Sequence, residues 1–213
     1  MYKELREKVC LLNKMLPEEN LVVWTGGNVS GINRETGHVV IKPSGVLFAD
    51  LTPESMVVID LQGNIVEGDY RPSVDSSIHN YLYEKRTDIN GICHTHSPYA
   101  TSFALLGESI PAALTPLSHM TGGEIPCTRY AQAGYVDTGE AILEVDKTGH
   151  GVLVKRHGVF TYGKNAETAL KYAAYIEEAA RTVHYAMQRG RVTALPDEEL
   201  KRCFEFYDNN YGQ

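Results

Sequence analysis

Hydrophobic residues recur at helical spacing at the start of the chain and then give way to short apolar runs between turn residues. The spacing of Leu5, Val9, Leu12 and Leu16 predicts a first helix, which Pro17 ends. Three later runs are rich in β-branched residues and are interpreted as strands: Leu21–Trp24, His38–Lys42 and Met56–Leu61. Each is bounded by Gly, Asn, Asp or Pro, so a sheet begins after the first helix.

The rest of the chain alternates between helical and extended patterns. Ser97 followed by Pro98 has the sequence of a helix start, with an N-cap residue and then proline at the first helical position. The other predicted helices are Asp75–Arg86, Val136–Asp146, Asn165–Arg189 and Pro196–Tyr207, and the other predicted strands are Gly91–Thr95, Ile125–Thr128 and Gly151–Lys155. This alternation predicts an α/β fold, a single domain over residues 1–213 with α/β/α layers around a mostly antiparallel central sheet.

Composition and charge narrow the class of protein. The chain has 213 residues, of which 43% are hydrophobic and 22% charged, as is ordinary for a globular protein with one full core. Its 20 basic and 27 acidic residues argue against a nonspecific grip on nucleic acid and favour a small-molecule partner. No run approaches the ~20 apolar residues of a membrane span, and no signal-peptide pattern is present. Four widely spaced cysteines indicate the reducing cytoplasm.

Histidines near predicted strand ends are candidate metal ligands. His94 and His96 lie two positions apart at the end of one strand, so their side chains face the same side. His157 follows the end of another strand and provides a third imidazole. Asp75, at the entrance of a helix, is either a further ligand or only a helix cap. His79, one turn later, is interpreted as a hydrogen-bonded histidine that supports the site. Since His-x-His pairs are common without a metal, the pair alone leaves metal binding open.

Three short polar turns are candidate anion-binding segments. Gly27–Asn28 follows the first predicted strand in a Gly-Gly-Asn turn, whose backbone N–H groups can form a nest for an oxyanion. Lys42 and Ser44–Gly45 follow the next strand and offer a cation, a hydroxyl and a flexible glycine. Ser73 adds a second hydroxyl shortly before the helix at Asp75. Ordinary loop chemistry explains each turn equally well, but together they favour an anionic substrate, with phosphate first.

Taken in order, these segments resemble the class II aldolase/adducin family and, within it, the L-ribulose-5-phosphate 4-epimerases. The motifs that carry the resemblance are Gly27-Asn28-Val29-Ser30, Lys42-Pro43-Ser44-Gly45-Val46, Pro72-Ser73-Val74-Asp75, His94-Thr95-His96-Ser97, Ile125-Pro126-Cys127-Thr128-Arg129, His157-Gly158 and Tyr211-Gly212-Gln213. The resemblance runs from about Thr25 to Gln213. Any one motif would be weak, but the ordered set is specific.

The resemblance implies a metal, a phosphorylated substrate and an assembly. The implied metal ligands are Asp75, His94, His96 and His157, holding Zn²⁺ or alternatively Mn²⁺ or Co²⁺. The implied phosphate-binding residues are Gly27, Asn28, Ser44, Gly45 and Ser73, with Lys42 nearby. The family also implies a homotetramer with active sites at subunit interfaces, to which a loop and the tail of a neighbouring subunit contribute.

Departures from the family pattern bear on the reaction. Family aldolases usually carry Glu where this chain has Asp75, so Asp75 favours the epimerases, as does the Tyr211 tail. Tyr130–Ala131, in a segment that is shorter than in the epimerases, is more like the aldolases. Val74 replaces a second serine, and His119 stands where the epimerases have a catalytic aspartate.

The function that the resemblance implies is metal-dependent retro-aldol chemistry on a ketose phosphate. Asp75, His119 and Tyr211 are the expected catalytic residues, because breaking and remaking the bond requires groups that accept and return protons. The first hypothesis is an L-ribulose-5-phosphate 4-epimerase. The alternatives are an aldolase of the L-fuculose-1-phosphate type, a decarboxylase of a phosphorylated 3-oxo acid, and a non-catalytic interaction domain of the adducin type.

Overall fold

The computed structural model describes residues 2–147 and 149–210, apart from the side chains of His119 and of residues 207–210. The strands are β1 (Asn28–Asn33), β2 (His38–Ile41), β3 (Val57–Ile59), β4 (Ile65–Glu67), β5 (Gly91–Thr95), β6 (Gly151–Val154) and β7 (Gly158–Gly163). The α-helices are α1 (Lys3–Glu18), α2 (Ser76–Lys85), α3 (Pro98–Leu106), α4 (Thr115–Thr121), α5 (Val136–Val145), α6 (Ala166–Met187) and α7 (Asp197–Asn210). Two 3₁₀ helices, Phe48–Asp50 and Pro53–Ser55, precede β3.

The seven strands form one sheet in the order β4-β3-β2-β1-β5-β7-β6, and every neighbouring pair is antiparallel. Successive residues of a strand point to opposite faces of the sheet, and helices pack against both faces. On β5, Ile92 belongs to a buried cluster with Ile78 of α2, whereas Cys93 belongs to one with Val9 of α1 and Ala169 of α6. The predicted α/β/α layering around an antiparallel sheet is therefore confirmed.

The long helix α6 packs against the sheet through the predicted apolar stripe. The stripe residues are Ala169, Ala173, Ile176, Ala180 and Val183, and all of them are buried. The helix begins after Asn165, whose side-chain oxygen accepts a hydrogen bond from the backbone N–H of Thr168 at 2.8 Å. None of the described helices is long and apolar enough to span a bilayer.

The predicted strand Leu21–Trp24 is wrong. The segment is a turn after α1, in which the Leu21 N–H donates to the carbonyl of Leu16 and the Gly26 N–H to that of Val23. Trp24 has a φ of 61°, and Val23 and Trp24 are 79% and 76% exposed. The run is apolar, but it forms no strand of the described sheet, and only the Leu21 carbonyl bonds to the residue after β5, accepting from the His96 N–H at 3.1 Å. Consequently the Gly-Gly-Asn turn does not follow a strand but leads into β1.

The predicted strand Ile125–Thr128 is also wrong, although its backbone is partly paired. Ile125 and Cys127 form isolated bridges to Ile110 and Leu153, and Pro126 lies between them. Proline has no N–H to donate, so a continuous ladder cannot form there. Three strands and one helix were not predicted, namely β1, β4, β7 and α4.

Candidate active site

The register of the sheet brings His94 to the centre of the candidate site. On one side it pairs with Asn28 of β1, and on the other with Phe160 of β7, on which its ring stacks at a centroid distance of 4.2 Å. His96 lies just past the end of β5, and His157 lies in the turn between β6 and β7. The histidines at the end of β5 and the histidine after β6 therefore lie close together.

The three imidazoles form a compact cluster. One ring nitrogen of each of His94, His96 and His157 lies within 4.8 Å of the corresponding nitrogen of the other two. The ring centroids are 4.8 Å apart for two of the pairs and 5.3 Å apart for His96 and His157. Among the described side chains this is the group of histidines, cysteines and acids with the geometry of a metal site.

Each of these rings keeps a nitrogen free for a ligand bond. The His94 Nδ1–H donates to the carbonyl of Val159 at 2.9 Å, which leaves the lone pair on Nε2. Nε2 of His94, Nε2 of His96 and Nδ1 of His157 are buried and have no hydrogen-bond partner. Burial lowers the pKa of all three histidines, that of His94 to about 3. Neutral rings with unpartnered buried nitrogens are the donor set that a divalent cation requires, so these residues fit a metal.

Gly158 is the residue that allows His157 to approach the other two histidines. A Cβ at this position would lie 2.3 Å from the carbonyl oxygen of Thr95 and 2.9 Å from Cδ2 of His96. Any larger residue would therefore displace the end of β5 or the His96 ring. The His-Gly pair is thus explained by close packing between two strand ends.

Asp75 adjoins the histidine cluster but lies outside the group of mutually close ligand atoms. Its carboxylate is buried and accepts a hydrogen bond from Nδ2 of Asn28 at 2.8 Å. Burial raises the pKa of Asp75, but the nearby His94, His79 and His157 and the Asn28 hydrogen bond outweigh this and lower it. The side chain makes no capping bond to α2, so the interpretation of Asp75 as only a helix cap is wrong.

Asn28 connects the acid to the polar turns. Its Nδ2 also donates to the hydroxyl of Ser73 at 3.0 Å, while its Oδ1 is buried without a partner. Gly27 precedes it with a φ of 76°, and a Cβ there would lie 2.5 Å from Cγ1 of Val22. Only glycine fits this turn, which brings its backbone against the metal side of the site.

Lys42 ties two of the turns together. Its Nζ donates to the carbonyls of Thr25 and Pro43, both at 3.2 Å, and lies 5.0 Å from the centre of the Phe48 ring. Burial lowers the pKa of Lys42 to about 8, against the opposing effect of the Asp75 charge. The amine is therefore a buried group that can lose its charge in mildly alkaline solution.

A single open cavity of about 730 Å³ contains the predicted metal and phosphate residues together. It is lined by Gly27, Asn28, Lys42, Ser44, Gly45, Ser73, Asp75, His94, His96 and His157. The loop Ala133–Tyr135 also lines it and was not predicted. The Ser77 hydroxyl fixes this loop by donating to the carbonyl of Gly134 at 3.2 Å. Its only signal in the sequence was the shortened segment after Arg129.

The remaining predicted residues lie elsewhere. His119 is in α4, which packs against α6 and α7, and none of the described residues that line the cavity comes from α4. Tyr211 lies outside the described residues. His79 is fully buried under the site, and its Nδ1 is 2.7 Å from the hydroxyl of Ser30. Of the three expected acid–base residues, Asp75 is the one found among the described residues that line the cavity.

The protein is thus an α/β protein with an antiparallel sheet, in which a cluster of three histidines that could bind a metal lies beside polar turns. The family described as "Class II Aldolase and Adducin N-terminal domain" matches residues 7–184 by its sequence model. The chain therefore belongs to the class II aldolase and adducin family.

Solved structures agree with this membership. The chain is 31% identical to an L-fuculose 1-phosphate aldolase, with a TM-score of 0.89 and 96% of each chain covered. It is 26% identical to l-fuculose-1-phosphate aldolase from Thermus thermophilus, with a TM-score of 0.74, covering 90% of this chain and 98% of that one. A putative aldolase/epimerase/decarboxylase from Klebsiella pneumoniae shares the fold at 22% identity and a TM-score of 0.85, covering 95% of this chain and 99% of that chain.

Proposed function

We propose that this protein is a metal-dependent aldolase that cleaves a carbon–carbon bond of a phosphorylated ketose. The observation that carries the proposal is that three neutral imidazoles, each with one buried ring nitrogen that has no hydrogen-bond partner, share one cavity with the polar turns. The similarity to two L-fuculose-1-phosphate aldolases, at 31% and 26% identity, favours release of the two fragments over epimerisation. The aldolase, the sequence's second hypothesis, thus becomes the first.

In this proposal His94, His96 and His157 hold a divalent cation, with Zn²⁺ first and Mn²⁺ or Co²⁺ as alternatives. When bound, the cation would supply Lewis acidity at the carbonyl and neighbouring hydroxyl oxygens of the sugar. Asp75 is placed either to complete the ligand set or to face the substrate beside it. Its lowered pKa keeps it an anion, and the Asn28 amide fixes its orientation.

The phosphate is assigned to the polar turns. Gly27 and Gly45 line the cavity with φ values of 76° and 71°, the backbone conformation of turns that bind anions, and Ser44 and Ser73 add hydroxyls. Lys42 contributes its charge from beneath the turns while it holds the carbonyls of Thr25 and Pro43. A phosphate bound here places the sugar chain towards the histidine cluster, since both line the same cavity.

The reaction needs one group that accepts the sugar hydroxyl proton and one that returns a proton. Asp75 is the expected acid–base residue among the described residues that line the cavity, and we assign it the sugar hydroxyl proton. His119 and Tyr211 remain the proposed partners. No described side chain of α4 lines the cavity of its own chain, and we propose that His119 acts in the cavity of a neighbouring subunit of a homotetramer.

Epimerisation is the second candidate, and Asp75 is the observation that favours it. By the sequence resemblance, family aldolases usually carry glutamate at this position, so the side chain of this chain is one methylene shorter. An epimerase would retain the cleaved aldehyde and add it back on the other face. The substrate of this candidate is L-ribulose 5-phosphate.

Product analysis with metal-loaded protein tests both candidates. Dihydroxyacetone phosphate formed from L-fuculose 1-phosphate supports the aldolase, whereas D-xylulose 5-phosphate formed from L-ribulose 5-phosphate supports the epimerase. A chelator-treated sample serves as the control and should be inactive until the cation is restored. If the protein retains no stoichiometric divalent ion and forms neither product, the enzyme proposal is wrong and an adducin-type interaction domain takes its place.

A further inference from the structure

The start of α3, immediately after His96, is capped by a carboxylate from a different helix. Glu177 of α6 accepts hydrogen bonds from the backbone N–H of Tyr99 on one oxygen, at 2.9 Å, and from that of Ala100 on the other, at 2.8 Å. The N-cap position is occupied by Ser97, as the sequence predicts, but the Ser97 side chain makes no capping bond to α3. The bidentate carboxylate performs that role instead.

Glu177 satisfies the free donors of the first turn of α3. Pro98 has no N–H, and the Thr101 N–H bonds to the carbonyl of Ser97 at 2.9 Å. Between them only Tyr99 and Ala100 would lack acceptors, and these are the two that Glu177 binds. The negative charge also lies at the positive end of the helix dipole, where it is stabilising.

Glu177 is itself held in a defined environment. It lies on α6 beside Ile176 and Ala180, which are buried in the core. Burial raises the pKa of the Glu177 carboxyl above its ordinary value, and the hydrogen bonds from Ala100, Tyr99 and the Ser97 hydroxyl only partly oppose this rise. The carboxylate therefore ties α6 to the first turn of α3.

The two neighbouring histidines differ in how their backbone is held. His94 is paired with strands on both sides, and its ring is anchored to the carbonyl of Val159. His96 lies beyond the sheet pairing, and its backbone N–H bonds to Leu21, a residue of the turn after α1. His96 is also joined directly to Ser97, the N-cap residue of α3, so the start of this helix lies one residue away from it.

We propose that Glu177 is a positioning residue of the metal centre, because it fixes the start of α3 and thereby holds His96 in place to bind the cation. This inference rests on the proposed function, since it assumes that the three histidines hold a divalent ion. Glu177 itself is neither in the histidine cluster nor among the described residues that line the cavity. Partners of this supporting kind typically change metal affinity by about 10- to 100-fold, and because Glu177 acts through the backbone, we expect about the lower value.

The test compares Glu177→Ala and Glu177→Gln with Glu178→Ala, measuring Zn²⁺ affinity by competition with a chelator. Glu178 is the matched control, because it is the next residue of the same helix and its carboxylate pairs with Arg181 rather than with α3. Glu177→Ala should bind Zn²⁺ about tenfold more weakly. Glu177→Gln, which keeps one acceptor but turns an amide donor towards the other backbone N–H, should lie between wild type and Ala. Glu178→Ala should match wild type.

Melting temperatures with and without Zn²⁺ separate positioning from simple stabilisation. Weaker binding reduces the stabilisation that the ion provides, so the upward shift caused by Zn²⁺ should be smaller in both Glu177 variants than in wild type. If they melt at lower temperature but bind Zn²⁺ like wild type, the carboxylate only caps a helix and the inference is wrong. If the alanine variant does not fold, the Zn²⁺ affinity and melting-temperature shift of Glu177→Gln are compared with those of wild type. If wild type binds no Zn²⁺, the proposed function itself fails; tight binding by wild type and variants alike overturns only this inference.

Discussion

The three histidines lie on or next to paired strands, whereas the polar turns that share their cavity rest on a few individual hydrogen bonds. His94 is flanked by β1 and β7, and His157 is pressed against the end of β5 by Gly158. The turn at Lys42 is instead held by its Nζ and by the Ser73 N–H, which donates to the Lys42 carbonyl at 3.0 Å. The histidines are thus fixed by the strand pairing of the sheet. The residues of the polar turns can be substituted with less effect on the fold.

The largest effect is expected on the histidine side. His94→Ala removes one of three ligands from a buried cluster and should weaken Zn²⁺ binding by at least about 100-fold, more than loss of a supporting residue does. Retro-aldol activity should fall to background at the same time. Metal analysis and product assays on the same sample check this. Full activity without stoichiometric metal would show that the cluster is not the reaction centre.

Asn28 lies at the boundary between the two sides. Asn28→Ala leaves the buried Asp75 carboxylate and the Ser73 hydroxyl without their common donor. Loss of a hydrogen bond to a charged group costs about 1.5–3 kcal/mol, which corresponds to roughly a 10- to 100-fold fall in kcat/KM. Steady-state kinetics at saturating Zn²⁺ measure this fall, and metal content shows whether the cluster is retained. An unchanged kcat/KM would remove Asn28 from the mechanism.

Lys42 should make substrate binding sensitive to pH on the turn side. Because burial lowers its pKa to about 8, the amine is charged below this pH and neutral above it, so KM for a phosphorylated substrate should rise several-fold between about pH 7 and 9. Its unfolded pKa is higher, so Lys42 alone makes the folded state more stable as pH rises through this window. The expected rise in KM at high pH is therefore not caused by unfolding that results from the titration of Lys42. Lys42→Met should remove most of this pH dependence, and a wild-type profile in that variant would contradict the assignment.

Val74 offers the mildest change on the turn side. It lines the cavity, is 70% exposed and stands where the family commonly has a second serine. Val74→Ser should lower KM for the phosphorylated substrate by a factor of about two to ten, since one added hydrogen bond contributes about 0.5–1.5 kcal/mol. Zn²⁺ affinity and melting temperature should remain at wild-type values. A change in Zn²⁺ affinity would show that the two sides of the cavity are coupled.

The sequence predicted the parts of this site that depend on local pattern. His94 and His96 could be placed on one face because strand side chains alternate, and the long helix could be recognised from its apolar stripe. The strand at Leu21–Trp24 was wrong because an apolar run does not show whether a neighbouring strand is available to pair with it. Glu177 could not be found, since it meets α3 across 78 positions of sequence.

The exposed turn that was mistaken for a strand has a practical consequence. Trp24 is the only tryptophan of the chain, it is largely exposed, and it is joined directly to Thr25 at the rim of the cavity. The protein therefore has a single indole fluorophore one residue away from the lining of its candidate binding site. Titrations followed by its emission can report ligand binding without a label and without turnover.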